Sequence, residues 1–241
     1  MKTKNIIITY KYLGLLIFLS ITSFLTLRSF KEVNKYDLSI EGDEFITKKD
    51  LIDNSSLVLP SKLIFIKTRY IEKELKENLS LKNISINRRL IPFQLKIYLQ
   101  TRTPLAYAES KKLNRKLYGY VDSEGVFIPK EFASIEETNI FPIKIIGWKK
   151  NFEEIVSKIF KLYENNINDL ELIHIASDGF IFVEEKVLKK ILLGYEHSKI
   201  DAQLNLIAEI KKQLKQKDAL KNLLSLDITD PNNPKIKVFK P

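Results

Sequence analysis

The chain has 241 residues, 44% of them hydrophobic, with 40 Lys and Arg against 30 Asp and Glu, no cysteine and two histidines. That hydrophobic share supports packed cores, and the lack of cysteine excludes a disulfide scaffold, cysteine-ligated zinc, iron–sulfur clusters and cysteine nucleophiles. With seven glycines and no G-x-G-x-x-G or Walker A run there is no phosphate-cradling loop, so no cofactor, metal or small-molecule substrate is expected.

The net charge of +10 is unevenly spread. Residues 1–30 hold Lys2, Lys4, Lys11 and Arg28 and no acid. Beyond them the bases are interspersed with acids, and only six of the forty are Arg. A nucleic-acid binder would show a concentrated basic face or a known module; neither is present, and no nucleic-acid partner is expected.

The first element is apolar. Tyr12 to Leu27 has no charged residue, and with Ile6, Ile7 and Ile8 the stretch reaches about 22 residues, or about 33 Å of helix, enough to cross a hydrocarbon core of about 30 Å. Lys11 lies near one end, where its ammonium can snorkel to the headgroups. A cleaved signal peptide needs a small-x-small site. The nearest match, Ser20-Ile21-Thr22, is followed by more apolar residues, Phe24, Leu25 and Leu27. The pattern favours an uncleaved signal anchor over residues 11–30. A very short basic tail, residues 1–10, usually stays in the cytoplasm, which places the bulk of the chain outside. The bases flanking the span are suited to anionic headgroups.

Tyr36 to Glu41 reads as a short strand. Thr47-Lys48-Lys49-Asp50 has the form of a capping box, with a short helix expected through Asn54. Thr68 is expected to cap a second helix bearing Ile71, Leu75 and Leu79. Two strands follow, the first with Ile84 and Ile86. In the second, Phe93, Leu95, Ile97 and Leu99 alternate with polar residues, so one face is buried and one wet. The order over residues 36–103 is β-α-α-β-β.

A second region is expected over residues 104–241. Strands are predicted at Leu105 to Glu109, Leu117 to Asp122 and Val126 to Ile128, turning at Ser123-Glu124-Gly125. A helix follows with Phe152, Ile155, Val156, Ile159, Phe160 and Tyr163 on one face. Strands at Leu170 to Ala176 and Phe180 to Glu184 flank Ser177-Asp178-Gly179, a hairpin signal, and Lys189 to Leu193 forms another. Ser198-Lys199-Ile200-Asp201 reads as a further capping box, for a helix turning Ile200, Leu204, Ile207 and Leu214 to the core. Strands at Leu223 to Ile228 and Lys235 to Phe239 close the chain around a Pro-Asn-Asn-Pro turn. The class is α+β: an N-terminal transmembrane helix, a β-α-α-β-β domain and a mostly antiparallel β domain with flanking helices.

This arrangement resembles the cell-division proteins FtsQ and DivIB, which place a short tail and one span before a POTRA domain and a β domain. Arg102-Thr103-Pro104-Leu105-Ala106 resembles that family's Glu-Arg-x-Pro-Leu-Ala junction. Tyr120 to Phe127 resembles its Asp-x-x-Gly hairpin, and Phe141 to Gly147 its Leu-Pro-x-(apolar)-x-Gly segment. Leu192-Leu193-Gly194 and Ser225-Leu226-Asp227-Ile228 resemble its late strands. Thr101 stands where the family has Glu, and Thr229 where many members have Arg.

The resemblance implies a non-catalytic scaffold at the division septum. It implies binding to FtsB-like and FtsL-like bitopic proteins outside the membrane, and a link to the septal synthase FtsW/FtsI. By that resemblance partners dock through strand addition at the last edge, Asp227, Thr229, Lys235, Ile236, Lys237, Val238 and Phe239. An ordinary edge guarded by lysines has the same pattern. The alternative reading is a membrane-anchored POTRA protein of envelope transport or secretion. His174 reads as a strand residue in a core setting, Asp122 and Asp178 as hairpin residues, and Trp148 as a packing residue.

Overall fold

The apolar run continues unbroken into one helix, α1 (Lys2–Ser29). Its Tyr12–Ser29 window is long and apolar enough to cross a membrane, and none of it is buried by the rest of the chain. The computed structural model describes residues 2–43, 45–112, 115–133, 141–214 and 223–238. The chain divides into two compact units, Met1–Thr101 and Arg102–Pro241.

In the first unit, β1 (Glu32–Val33), β2 (Leu38–Gly42), α2 (Lys48–Asp53), β3 (Ser61–Lys62), α3 (Thr68–Asn78), β4 (Asn83–Arg89) and β5 (Gln94–Gln100) follow α1. The three-stranded sheet has the order β2-β5-β4, with β2 parallel and β4 antiparallel to β5. The period-two run holds from Leu95 onward, with Leu95, Ile97 and Leu99 buried, while Phe93 lies in the β4–β5 turn and is half-buried. Helices α2 and α3 add Leu51, Ile71 and Leu75, with Leu79 at the end of α3. The Thr47 capping box forms, the Thr47 hydroxyl accepting from Asp50 N at 3.2 Å while Thr47 N donates to the Asp50 carboxylate at 2.9 Å.

Two local expectations change. The segment starting at Tyr36 opens as a 3-10 turn, Lys35–Asp37, because the Asp37 carboxylate accepts from Asn34 N at 2.9 Å, and the strand begins only at Leu38. Thr68 is the first residue of α3, and Lys67 occupies its N-cap without a side-chain bond.

The second unit is built on a nine-stranded sheet. Its strands are β6 (Ala106–Lys112), β7 (Arg115–Val121), β8 (Phe127–Pro129), β9 (Lys144–Trp148), β10 (Leu170–Ile175), β11 (Ile181–Glu185), β12 (Lys189–Gly194), β13 (Leu223–Asp227) and β14 (Lys235–Val238). The order is β14-β13-β12-β11-β10-β9-β6-β7-β8. Most neighbours are antiparallel; the pairs β6–β9, β9–β10 and β12–β13 are parallel. Helices α4 (Glu153–Leu162) and α5 (Ile200–Leu214) bury their apolar stripes with one face of this sheet. Phe152, Ile155, Val156, Ile159, Phe160 and Tyr163 all join that core, as do Ile200, Leu204 and Ile207; the Leu214 side chain lies outside the described residues. The expected Ser198 box is replaced by a 3-10 turn, His197–Lys199, which leads directly into α5.

Candidate functional site

Strand β14 ends the sheet order and has one partner, β13, among the described residues. The pairing is antiparallel, setting Asp227 opposite Lys235, Leu226 opposite Ile236, Ser225 opposite Lys237 and Leu223 opposite Val238. Opposed residues share a face of a sheet. Leu226 and Leu223 lie in the core, so Ile236 and Val238 prolong the core face past the point where helices cover it, and they are 58% and 47% exposed. Lys235 and Lys237 occupy the other face, and all four residues of β14 are exposed. Phe239 lies outside the described residues.

The connection into β14 is shaped by short polar side chains. Asp227 accepts from Thr229 N at 3.0 Å and from the Thr229 hydroxyl at 2.8 Å. Asp230 accepts from Asn232 N at 3.2 Å through its carboxylate and from Asn233 N at 3.1 Å through its carbonyl. Such side-chain-to-backbone bonds stand in for turn hydrogen bonds.

Two residues hold the base of this turn, and one of them, Gln203, is not singled out by the sequence. Gln203 on α5 is 1% exposed, and its amide nitrogen donates to Leu193 O at 2.7 Å and Ile228 O at 2.9 Å. It thereby ties the ends of β12 and β13 to the helix. Gly194, already part of the Leu-Leu-Gly pattern, has φ +85, and a Cβ there would fall 2.9 Å from the Thr229 methyl. Thr229 thus packs into space that glycine leaves open. The Gln203 signal is invisible in sequence because its acceptors are carbonyls on distant strands.

What this edge offers chemically is a short row of main-chain donors and acceptors flanked by two aliphatic and two cationic side chains. That is the requirement for accepting an extended segment as a further strand. The opposite end of the sheet is different. Strand β8 has three residues and ends in Pro129, which has no N–H to offer.

The other candidates have structural roles. His174 lies in β10 with its ring stacked on Phe182 at 4.6 Å. Asp178 accepts from Phe180 N at 3.1 Å and Tyr195 Oη at 3.2 Å. Asp122 accepts from Glu124 N at 3.0 Å, Val126 N at 2.9 Å and Arg102 at 2.5 Å. Trp148 is buried and donates from Nε1 to Gly125 O at 2.9 Å. Among the described residues no group of three or more His, Asp or Glu is placed to hold a metal ion.

Residues 36–102 match the family model described as POTRA domain, FtsQ-type. No curated protein matches the chain.

Proposed function

We propose, from the premise that this is an FtsQ/DivIB-like chain with an FtsQ-type POTRA domain behind a long apolar helix, that it is a non-catalytic bitopic scaffold of the bacterial divisome. Residues 1–10 lie in the cytoplasm, 11–30 form an uncleaved signal anchor, and the POTRA domain (36–103) and C-terminal β domain (104–241) lie outside the cytoplasmic membrane, at the septum. There the chain binds FtsB-like and FtsL-like bitopic proteins and links them to the septal synthase FtsW/FtsI.

The family match carries the division reading. The open edge at β14 supports the means: a partner strand adds beside Lys235 to Val238, with main-chain bonds setting register and Ile236 and Val238 offering apolar contact. A hydrophobic partner side chain over Ile236 would complete the core face that helices leave uncovered.

The test measures partner affinity and thermal unfolding together, for Ile236→Pro and for a deletion from Lys235 onward. Proline removes a main-chain donor and fixes φ, so binding should fall while the β6–β13 core still unfolds cooperatively. A deletion that leaves the fold and the affinity unchanged would move the docking site elsewhere. A reporter fused at Pro241 that is active only in the cytoplasm would overturn the orientation.

A further inference from the structure

The link between α1 and the two-stranded β1–β3 ladder is very short. The helix ends at Ser29 and β1 begins at Glu32, so Phe30 and Lys31 alone intervene and span at most about 7 Å. The headgroup layer on each side of a bilayer is about 5–7 Å thick. There is no slack after it either: Val33 is 0% exposed, pairs with Ser61 in β3, and Leu63 N donates to Lys31 O at 3.2 Å. Whatever lies beside β1 and β3 is therefore held at the depth where α1 leaves the hydrocarbon.

Two chain tips are there. One is the 3-10 turn Leu63–Phe65, where Ile64 and Phe65 are exposed and the Phe65 ring meets Phe30 edge-on at 6.4 Å. The other is the β4–β5 turn, where Ile91 is exposed and Phe93 lies under Lys31 at 4.8 Å and Arg28 at 6.0 Å. Lys62 adds a further cation, opposite Glu32 in the short ladder. Apolar side chains grouped with cations are out of place on a face turned to bulk water, but they suit a bilayer interface, where rings enter the headgroup region and Lys or Arg meets anionic lipid.

We propose that these two tips form a lipid-docking face, with Phe30, Ile64, Phe65, Ile91 and Phe93 entering the headgroup layer and Arg28, Lys31 and Lys62 meeting anionic lipid. The POTRA domain is then seated on the membrane and does not swing on its span. The proposal rests on the reading of α1 as a membrane span, and the occupant follows from continuity with that helix.

The chain has no cysteine, so single cysteines can carry a nitroxide at chosen positions of the full-length protein. Ile64→Cys and Ile91→Cys report the tips, Phe18→Cys reports the span, and Asn83→Cys is the dry-or-wet reference. Asn83 is at the far end of β4, about 20 Å along the strand from the β4–β5 turn. The protein is reconstituted in vesicles of equal parts phosphatidylglycerol and phosphatidylcholine. The tip labels should collide with an aqueous nickel chelate about fivefold less often than the Asn83 label, and with oxygen in the lipid more often. Lys62→Gln should return the tip labels toward water by about fivefold in these vesicles, the weight of one cation at an anionic surface, and should have little effect in phosphatidylcholine alone. Tip labels as wet as Asn83, with a lipid-protected Phe18 label, would overturn the docking and leave the span intact. A wet Phe18 label would overturn the span and the docking with it. Tips shielded from chelate yet not reached by lipid-phase oxygen would mean a protein covers them, which also overturns the proposal.

Discussion

Replacing Arg102 by Met should unfold the second unit far more readily than any surface charge change. Arg102 and Asp122 have side chains only 9% and 7% exposed, joined at 2.5 Å. Burial opposes the charge on Arg102, yet its bonds to Glu124 and Asp122 outweigh that and hold its pKa above the ordinary value. The Glu124 contact at 2.7 Å involves a carboxylate that is 56% exposed, so it contributes at most about 1 kcal/mol. The larger effect is on Asp122, whose carboxylate would stay buried with two backbone N–H donors and no cation. Breaking a buried pair from one side costs about 3–5 kcal/mol. For a unit of this size that is a fall of about 10–20 °C in Tm. The assay is built in. Trp148 is the single tryptophan, and its indole N–H bonds Gly125 in the same hairpin as Asp122, so its fluorescence reports the turn directly. Arg102→Met/Asp122→Asn should recover part of the loss, since Asn keeps the turn acceptor and removes the orphaned charge. A loss under about 1 kcal/mol for Arg102→Met would put the pair among exposed ion pairs and refute the reasoning.

Three further outcomes are expected. Gly147 has φ +78 inside β9, and a Cβ there would fall 1.9 Å from Ile175 O; Gly147→Ala should cost more than about 2 kcal/mol, from the left-handed penalty plus main-chain displacement, read by urea unfolding. Lys211→Met leaves Glu185, whose side chain is fully buried and which accepts from Leu188 N at 2.5 Å, without its cation; about 3 kcal/mol or more should be lost, and Glu185→Gln added to it should restore part. Asp50 is held below its ordinary pKa by bonds from the Thr47 hydroxyl and then the Thr47 N–H, so its contribution is present above the unfolded value and is lost as pH falls through the folded one, below about pH 4. Thr47→Ala should therefore cost about 1 kcal/mol at neutral pH and flatten the acid limb of an unfolding titration.

Local pattern made much of the fold legible. The alternation through Leu95, Ile97 and Leu99 and the stripe from Phe152 to Tyr163 are properties of one element against a core, and periodicity records them. The Asp178 turn was legible because its bonds are local. Pairings between distant elements were not. Nothing in Lys144 to Trp148 announces that β9 lies between β6 and β10 with both neighbours parallel. The two-residue ladder of β1 and β3 is too short for any period. Helix entry departs from the capping pattern at two places: Lys67 precedes α3 without a side-chain cap, and His197–Lys199 coils into a 3-10 turn ahead of α5. At the candidate site, the alternation of Lys235 to Val238 was readable, while the hold of Gln203 on Leu193 and Ile228 was not.

If partners add at β14 as proposed, the two unlike ends of the nine-stranded sheet would set the stoichiometry of that docking. A sheet that accepts strands at both margins can pass copies from one molecule to the next and grow without limit. Here one margin is a three-residue strand closed by Pro129, and the other is β14 with Lys235 and Lys237 side by side on one face. Two copies meeting through β14 would bring those lysines together, and a β14 meeting a β8 would find a missing donor. Under the docking proposed above, addition at β14 would stop after one foreign segment, and a chain of this design would take strand partners singly.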